Sequence, residues 1–461
     1  MGNRFSSVLL SSLMGAALCF VLVNVTFAAP TTPSDLGTTP ATQEEVAPEI
    51  KAAFEDFKAA KFDDAVTKLE TACKANPDLA PAQLLLAQWF SVLNPPQPQA
   101  VRQAIEVAVT KNPGDPEAYV ILAELNLQNG NVTEAEVLYT YADSLNKSFT
   151  GSSKRKSEIQ KRILLGLAQV FAARGRSADA ITNLTAVLQL EPANIGALDL
   201  AGRIYFNDNK TEEALDMFRK IKAVEPKALQ PEARIALMFQ SRGKAEDIKQ
   251  ANAYMAAALK AAPKDLQVYL AIASWSIQVN KIDQAEKFAD NAISLDATSL
   301  EAAMLRGVVA LYKKDFAKAE ACFQKVLSES PSNFAASNNL ALALCELGDA
   351  DKLKKAEEYA LVNIRQFQKQ PEAFSTAAWI LFKKGEYQNA AQLIQQSIQL
   401  SNGQMSQDTA FYLAAILQKL GGENNLKQAK EILTKLLDTT DANKAPFTMK
   451  PEAEKLNAEM K

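Results

Sequence analysis

The residue types that most often do chemistry in proteins are missing from this chain or scattered through it. Histidine is absent from all 461 positions. That excludes Ser-His-Asp and Cys-His nucleophile chemistry, His-ligated zinc and imidazole acid–base catalysis. Carboxylate-only and lysine-based enzymes survive this exclusion but need recognisable constellations. There is no GxxxxGK[ST] phosphate loop, no GxGxxG turn and no CxxC pair. Asp349-x-Asp351 has the spacing of a metal–diphosphate carboxylate pair, but it follows Gly348 in a lengthened turn, where Asp serves the turn itself. Cys73, Cys322 and Cys345 fall on apolar helical stretches and read as small buried hydrophobes, with a Cys322–Cys345 pairing left open. Asn-x-Ser/Thr occurs at Asn131, Asn146, Asn183 and Asn209, about as often as chance allows. The expectation is a protein with no catalytic residues, no cofactor, no metal and no small-molecule substrate.

Charge narrows the partners. Lys and Arg number 50 against 53 Asp and Glu, for a net charge of −3. A nucleic-acid-binding chain would be basic, so nucleic acid is set aside as a partner. Apolar residues at 48% and charged residues at 22% match an ordinary globular protein. Ala, Leu, Lys, Gln and Glu dominate over β-branched and aromatic residues, a mix that favours helix.

From about residue 46 one pattern recurs. A helix carries a small residue, a turn follows, and a second helix carries Ala with apolar or small residues four and seven positions on. The small position is filled by Ala53, Ala87, Ala123, Ala168, Gly202, Ala236, Ala273, Gly307, Ala341, Ala378 and Ala414. Five of the ten spacings between them are 34, and the others add a short insertion. Second helices agree: Ala180-Leu184-Val187, Ala214-Phe218-Ile221, Ala251-Met255-Ala258 and Ala319-Phe323-Val326, each with Pro five residues later. Two helices approach closely only where a side chain is small, and residues at i, i+4 and i+7 form one buried stripe. Proline then stops the helix. One pair cannot bury both its faces, so pairs must stack into a solenoid.

At these residues the chain resembles the tetratricopeptide repeat family, whose 34-residue helix–turn–helix unit it follows over residues 46–441. The resemblance implies an all-α, right-handed superhelical solenoid of about eleven repeats, with a concave face that takes protein or peptide. The family's large aromatic early in the first helix is kept only as Tyr119, Tyr269 and Phe374. The Lys/Arg ladder of its carboxylate clamps is not visible, so that ligand is not expected.

Removing the core stripe from each first helix leaves a second face about 100° away. In the tenth repeat that face carries Ser375, Trp379 and Phe382, beside the stripe of Phe374, Ala377, Ala378 and Leu381. The same shift selects Leu270, Ser274 and Ile277 in the seventh repeat and Met304, Val308 and Leu311 in the eighth. In the ninth it selects Asn338, Leu342 and Cys345. Two readings fit: an apolar groove for a partner polypeptide, or packing on the neighbouring first helix. The groove reading makes Trp379 and Phe382 the binding anchors.

Two irregular segments flank this array or interrupt it. Eleven extra residues between Ala123 and Ala168 contain a basic stretch, Thr150 to Lys156, with Ser157 and Gln160 spaced as a capping box that restarts the helix. The stretch reads as a solvated loop, with an acidic partner as the rival reading. Residues 442–461 read as a polar helix capping the solenoid end.

The amino terminus is expected to be a targeting segment. A short positive start precedes an apolar run from Phe5 to Phe27, and small residues permit cleavage after Ala28. An uncleaved anchor giving membrane attachment is the competing reading. Residues 29–45, rich in Pro and Thr, form the linker. Together these features predict an exported, non-enzymatic interaction scaffold, periplasmic or secreted, that binds a partner polypeptide. The alternative is an accessory subunit of an envelope export or polysaccharide assembly machine.

Overall fold

The computed structural model describes residues 48–93, 97–438 and 448–460. The expected leader and linker, and the start of the carboxy-terminal segment, lie outside the described residues. The chain divides into two compact units at Pro231/Glu232. The first unit holds α1 (Pro48–Lys58), α2 (Phe62–Ala75), α3 (Ala82–Ser91), α4 (Pro98–Lys111), α5 (Pro116–Gln128), α6 (Val132–Ser148), α7 (Ser153–Ala173), α8 (Ser177–Leu190), α9 (Ile195–Asn207) and α10 (Thr211–Val224). The second holds α11 (Pro231–Arg242), α12 (Ala245–Ala261), α13 (Leu266–Gln278), α14 (Ile282–Leu295), α15 (Leu300–Tyr312), α16 (Phe316–Glu329), α17 (Phe334–Leu347), α18 (Ala350–Gln366), α19 (Pro371–Lys383), α20 (Tyr387–Leu400), α21 (Gln407–Leu420), α22 (Glu423–Leu437) and α23 (Lys450–Glu459). All regular structure among the described residues is helical, as expected for an all-α solenoid. No described helix is long and apolar enough to cross a membrane.

Neighbouring helices pack in chain order from α1 to α10 and from α12 to α23. The tightest pairs, such as α5 with α6 and α19 with α20, are those the repeat predicts. All eleven small positions are buried, and so are the four second-helix triplets named above. The same i, i+4, i+7 burial extends to Ala65-Leu69-Ala72, Ala135-Tyr139-Ala142 and Ala429-Leu433-Leu436. In the second unit one apolar cluster runs from Ile277 to Ala453.

Two local devices set the repeat. Many first helices open on a side-chain cap: Asp115, Asn194, Asp265, Ser299, Asn333 and Ser406 each accept a backbone N–H two or three residues on. Such a cap contributes about 1 kcal/mol. Seven residues after the small position, wherever that residue is described, the backbone turns left-handed. Glycine fills this site at Gly130, Gly175, Gly243, Gly348, Gly385 and Gly421, and Asn at Asn209 and Asn280. Ala60 and Lys314 hold the same conformation without either advantage.

The glycines in the small position have a separate cause. An ideal Cβ at Gly202 would lie 2.5 Å from the Phe218 ring, and one at Gly307 would lie 2.5 Å from the Phe323 ring. Each ring comes from the second helix of the same pair, sixteen residues later. Glycine therefore makes room for an aromatic, where Ala suffices beside Leu184 or Ile394.

The insertion before Ala168 departs from expectation. It lengthens helices rather than adding a loop: α7 starts at Ser153, and the cap is Ser152, whose Oγ accepts the Arg155 N–H at 3.1 Å. Ser157 sits inside the helix, and the Gln160 side chain accepts from Asn146 Nδ2 at 2.9 Å. Arg155 is buried, its guanidinium 2.8 Å from both Asp115 and Glu117. Burial works against its charge, but the two carboxylates outweigh that and hold its pKa above the ordinary value. The acids that meet this arginine belong to the chain itself.

Candidate functional site

In the second unit the first helices α13, α15, α17, α19 and α21 lie against one another in sequence and form a wall. The residues selected from the sequence all lie on it, but not as an open lining. Leu270, Ile277, Met304, Val308, Leu311, Asn338, Leu342, Cys345, Ser375 and Trp379 are buried, and Ser274 and Phe382 are half-exposed. Ten of these twelve residues are buried in helix packing, as the packing reading expects, and Ser274 and Phe382 keep some exposure. In α17 every residue from Ala336 to Cys345 is buried, and in α19 every residue from Ala373 to Ile380. A first helix touches its own second helix, the second helix before it and first helices on either side. The residues left over from one stripe are therefore claimed by another.

Trp379 shows how. Its ring stacks on Tyr412 at 4.5 Å and on Phe382 at 4.8 Å, with Phe411 tilted at 5.5 Å. Its Nε1 donates to Glu346 Oε1 at 2.6 Å, and Lys383 lies over the ring and pairs with Glu346 at 2.9 Å. The anchor aromatic is a core residue with its polar atom already committed.

A polar cluster that sequence reading missed lies beside it. Asp408, at the start of α21, is buried and accepts from Thr448 Oγ1 at 3.2 Å and from the backbone N–H groups of Thr448 and Met449. Those groups lead into α23. Burial lifts the Asp408 carboxyl up to about 6, opposed by these hydrogen bonds and assisted by Glu452. Tyr412 and Tyr312 feel the same charge, and burial with Asp408 nearby raises both phenols. One turn into α23, the Glu452 carboxylate pairs with Lys314, the residue in left-handed backbone after α15. The available signals were an Asp just inside a helix start and a Lys at a position that glycine fills in six repeats.

The shifted carboxyl predicts a pH dependence. Its folded value lies above its unfolded one, so folding takes up a proton between about pH 4 and pH 6, and stability falls as pH rises through that window. The full effect is about 2–3 kcal/mol, at roughly 1.4 kcal/mol per unit. Asp408→Asn should move the stability difference from wild type in the variant's favour by about that much between pH 4.5 and 7.5. Denaturation curves at both pH values measure it, and parallel pH profiles would show that Asp408 does not carry the effect.

Other buried polar side chains have no partner: Ser276 Oγ on α13, both amide atoms of Asn338 and of Asn339 on α17, Thr376 Oγ1 on α19 and the Tyr412 hydroxyl on α21. Leaving such a group unpaired costs about 1–3 kcal/mol, so a row of them on successive helices needs an explanation. Elsewhere Asp349 caps α18 by accepting the Lys352 N–H at 2.8 Å, a turn role. Cys73, Cys322 and Cys345 are free thiols, and burial, with Glu346 beside it, pushes the Cys345 thiol up to about 12.

No curated protein sequence matches the chain. Among solved structures, a tetratricopeptide repeat protein from Parabacteroides merdae ATCC 43184 is 16% identical, with a TM-score of 0.38, covering 65% of this chain and 98% of its own. PilW, a type IV pilus biogenesis factor, is 21% identical with a TM-score of 0.38, covering 50% and 97%. Yeast Tom70 is 17% identical with a TM-score of 0.37, covering 89% and 87%. The tetratricopeptide repeat family model matches residues 98–147, 165–231 and 304–352, which fall on helix pairs in both units. The three matched segments, and helix pairs of the same period buried on the same stripe beyond them, support a tetratricopeptide repeat architecture for this chain.

Proposed function

We propose that this protein is an exported, non-enzymatic scaffold that holds a partner polypeptide against the wall of first helices in its second unit. Proteins of this family generally mediate protein–protein interactions, and the proposal adds the site, the ligand class and the compartment. Asn338 is the observation that carries it. A carboxamide can give one hydrogen bond and accept another, matching a peptide group; Asn338 is buried with neither atom paired, so a partner's peptide group would meet it only once the side chains packed over α17 move aside. The unpaired groups on α13, α19 and α21 extend that capacity along the same wall. The leader at residues 1–28 supports export, and the mature chain would begin at Ala29.

Asn338→Leu tests this by separating binding from folding. Losing a buried, unpaired amide should leave stability unchanged or raise it by about 1 kcal/mol or more. Capture of the partner from a native envelope fraction should weaken at least tenfold, or ~1.4 kcal/mol. Equal capture of the same polypeptide by both forms, at equal stability, would remove Asn338 from the site.

A further inference from the structure

The last described helix carries a recognition pattern that the repeat array does not need. Along α23 and the residues leading into it, Met449 and Ala453 are buried, Glu452, Leu456 and Met460 are half-buried, and the residues between them are mostly exposed. These five fall three to four residues apart and form one stripe. Packing on α22 would suffice to close the end of the solenoid. The polar contacts go elsewhere. Thr448 and the N–H groups opening the helix are received by Asp408 on α21, and Glu452 reaches Lys314 after α15, three repeats earlier in the chain. A carboxylate at a helix amino terminus and a lysine opposite an acid one turn on together fix where the helix starts and how it is rotated.

Lys314 makes this arrangement specific. At φ 59° it holds a left-handed backbone that six repeats give to glycine, so a side chain is kept there against local strain. Its ammonium is spent on Glu452. A ten-residue helix is marginal by itself, and only Ala453 within it is fully buried, so it is held by contacts that another helix of like pattern can replace.

Building on the scaffold reading above, we infer that residues 448–460 are a built-in ligand. The surface from Lys314 to Asp408 is a receptor for a short amphipathic helix, and the partner's binding segment is a helix of the same pattern that displaces α23. That pattern is a Thr or Ser followed by an apolar residue at the start, an acid and a small residue one turn on, then apolar residues at three- to four-residue spacing. Thr/Ser and the free N–H groups meet Asp408, the acid meets Lys314, and the small residue permits close approach.

The test uses the full chain and a synthetic peptide of residues 448–461. Glu452→Lys sets two cations against each other and should release α23 while the receptor stays intact. Hydrogen exchange across residues 450–459 should then quicken at least tenfold, with the remaining repeats unchanged. The labelled wild-type peptide should bind the Glu452→Lys chain at least tenfold more tightly than wild type, whose site is filled. The same peptide carrying the Glu-to-Lys change should not bind. Lys314→Gly gives a second check, because it relieves the backbone: α23 should loosen while the melting temperature holds or rises. Unchanged exchange in both variants, equal peptide binding to both chains, or binding to neither would overturn the inference. In any of those cases a positive Asn338→Leu result would leave the scaffold reading standing.

Discussion

Trp379→Ala is expected to destabilise the second unit by about 3–5 kcal/mol, the range for removing a buried aromatic. The ring is buried, stacks on Tyr412 and Phe382 and touches Phe411. Aromatic pairing adds roughly 0.5–1.5 kcal/mol per pair beyond area. The substitution also strips Glu346 of the indole N–H, leaving it Lys383 alone. Damage should start in α19 and α21 and spread to α20 and α22, because repeats depend on their neighbours. Denaturant unfolding and hydrogen exchange read the two parts of this prediction. A loss below ~1 kcal/mol would mean that the ring is not core, and would return it to the list of binding anchors.

Gly307→Leu should be nearly as severe, for the opposite reason. A Cβ there would lie 2.5 Å and 2.8 Å from two atoms of the Phe323 ring, and that ring is fully buried. The ring cannot swing into solvent, so α15 and α16 must separate. Overpacking of this kind costs about 1–3 kcal/mol, and more when the neighbour cannot yield. Loosening should begin between α13 and α18 and leave distant repeats protected. The sharper measurement is the pair Gly307→Ala and Phe323→Leu. Made together, they should be less destabilising than the sum of the single changes by about 0.5–3 kcal/mol, since shrinking the ring makes room for the methyl. Strict additivity would show that the glycine is not there for the aromatic.

The two variants mark what was and was not legible in the chain. The repeat could be read because every pair solves the same packing problem, so small positions recur at a fixed spacing whatever else varies. Ala341 and Ala378 were assigned to helix crossings from spacing alone, and both are fully buried. The reason Gly307 differs from Ala341 was also in the sequence, as Phe323 sixteen residues later, but became visible only once α15 and α16 were placed together. Ser157 is not the helix start because Ser152 caps earlier, and within the basic stretch Arg155, unlike exposed Lys154, is not solvated because Asp115 and Glu117, about forty residues earlier, take it up.

The sequence by itself determined the helix pairs, their period, the stripe that joins each pair and the lack of histidine chemistry. These follow from local periodicity and composition, which need no knowledge of distant neighbours. Only the tertiary structure decided what covers the remaining faces. Trp379 and Leu342 occupy the positions a groove would use, and no periodicity distinguishes a side chain facing a partner from one facing the next helix of its own chain. The meeting of Asp408 with Thr448 and of Lys314 with Glu452 was equally hidden. Such contacts join residues far apart in sequence, fixed by how successive repeats stack and where the last helix returns, and no single repeat encodes that path.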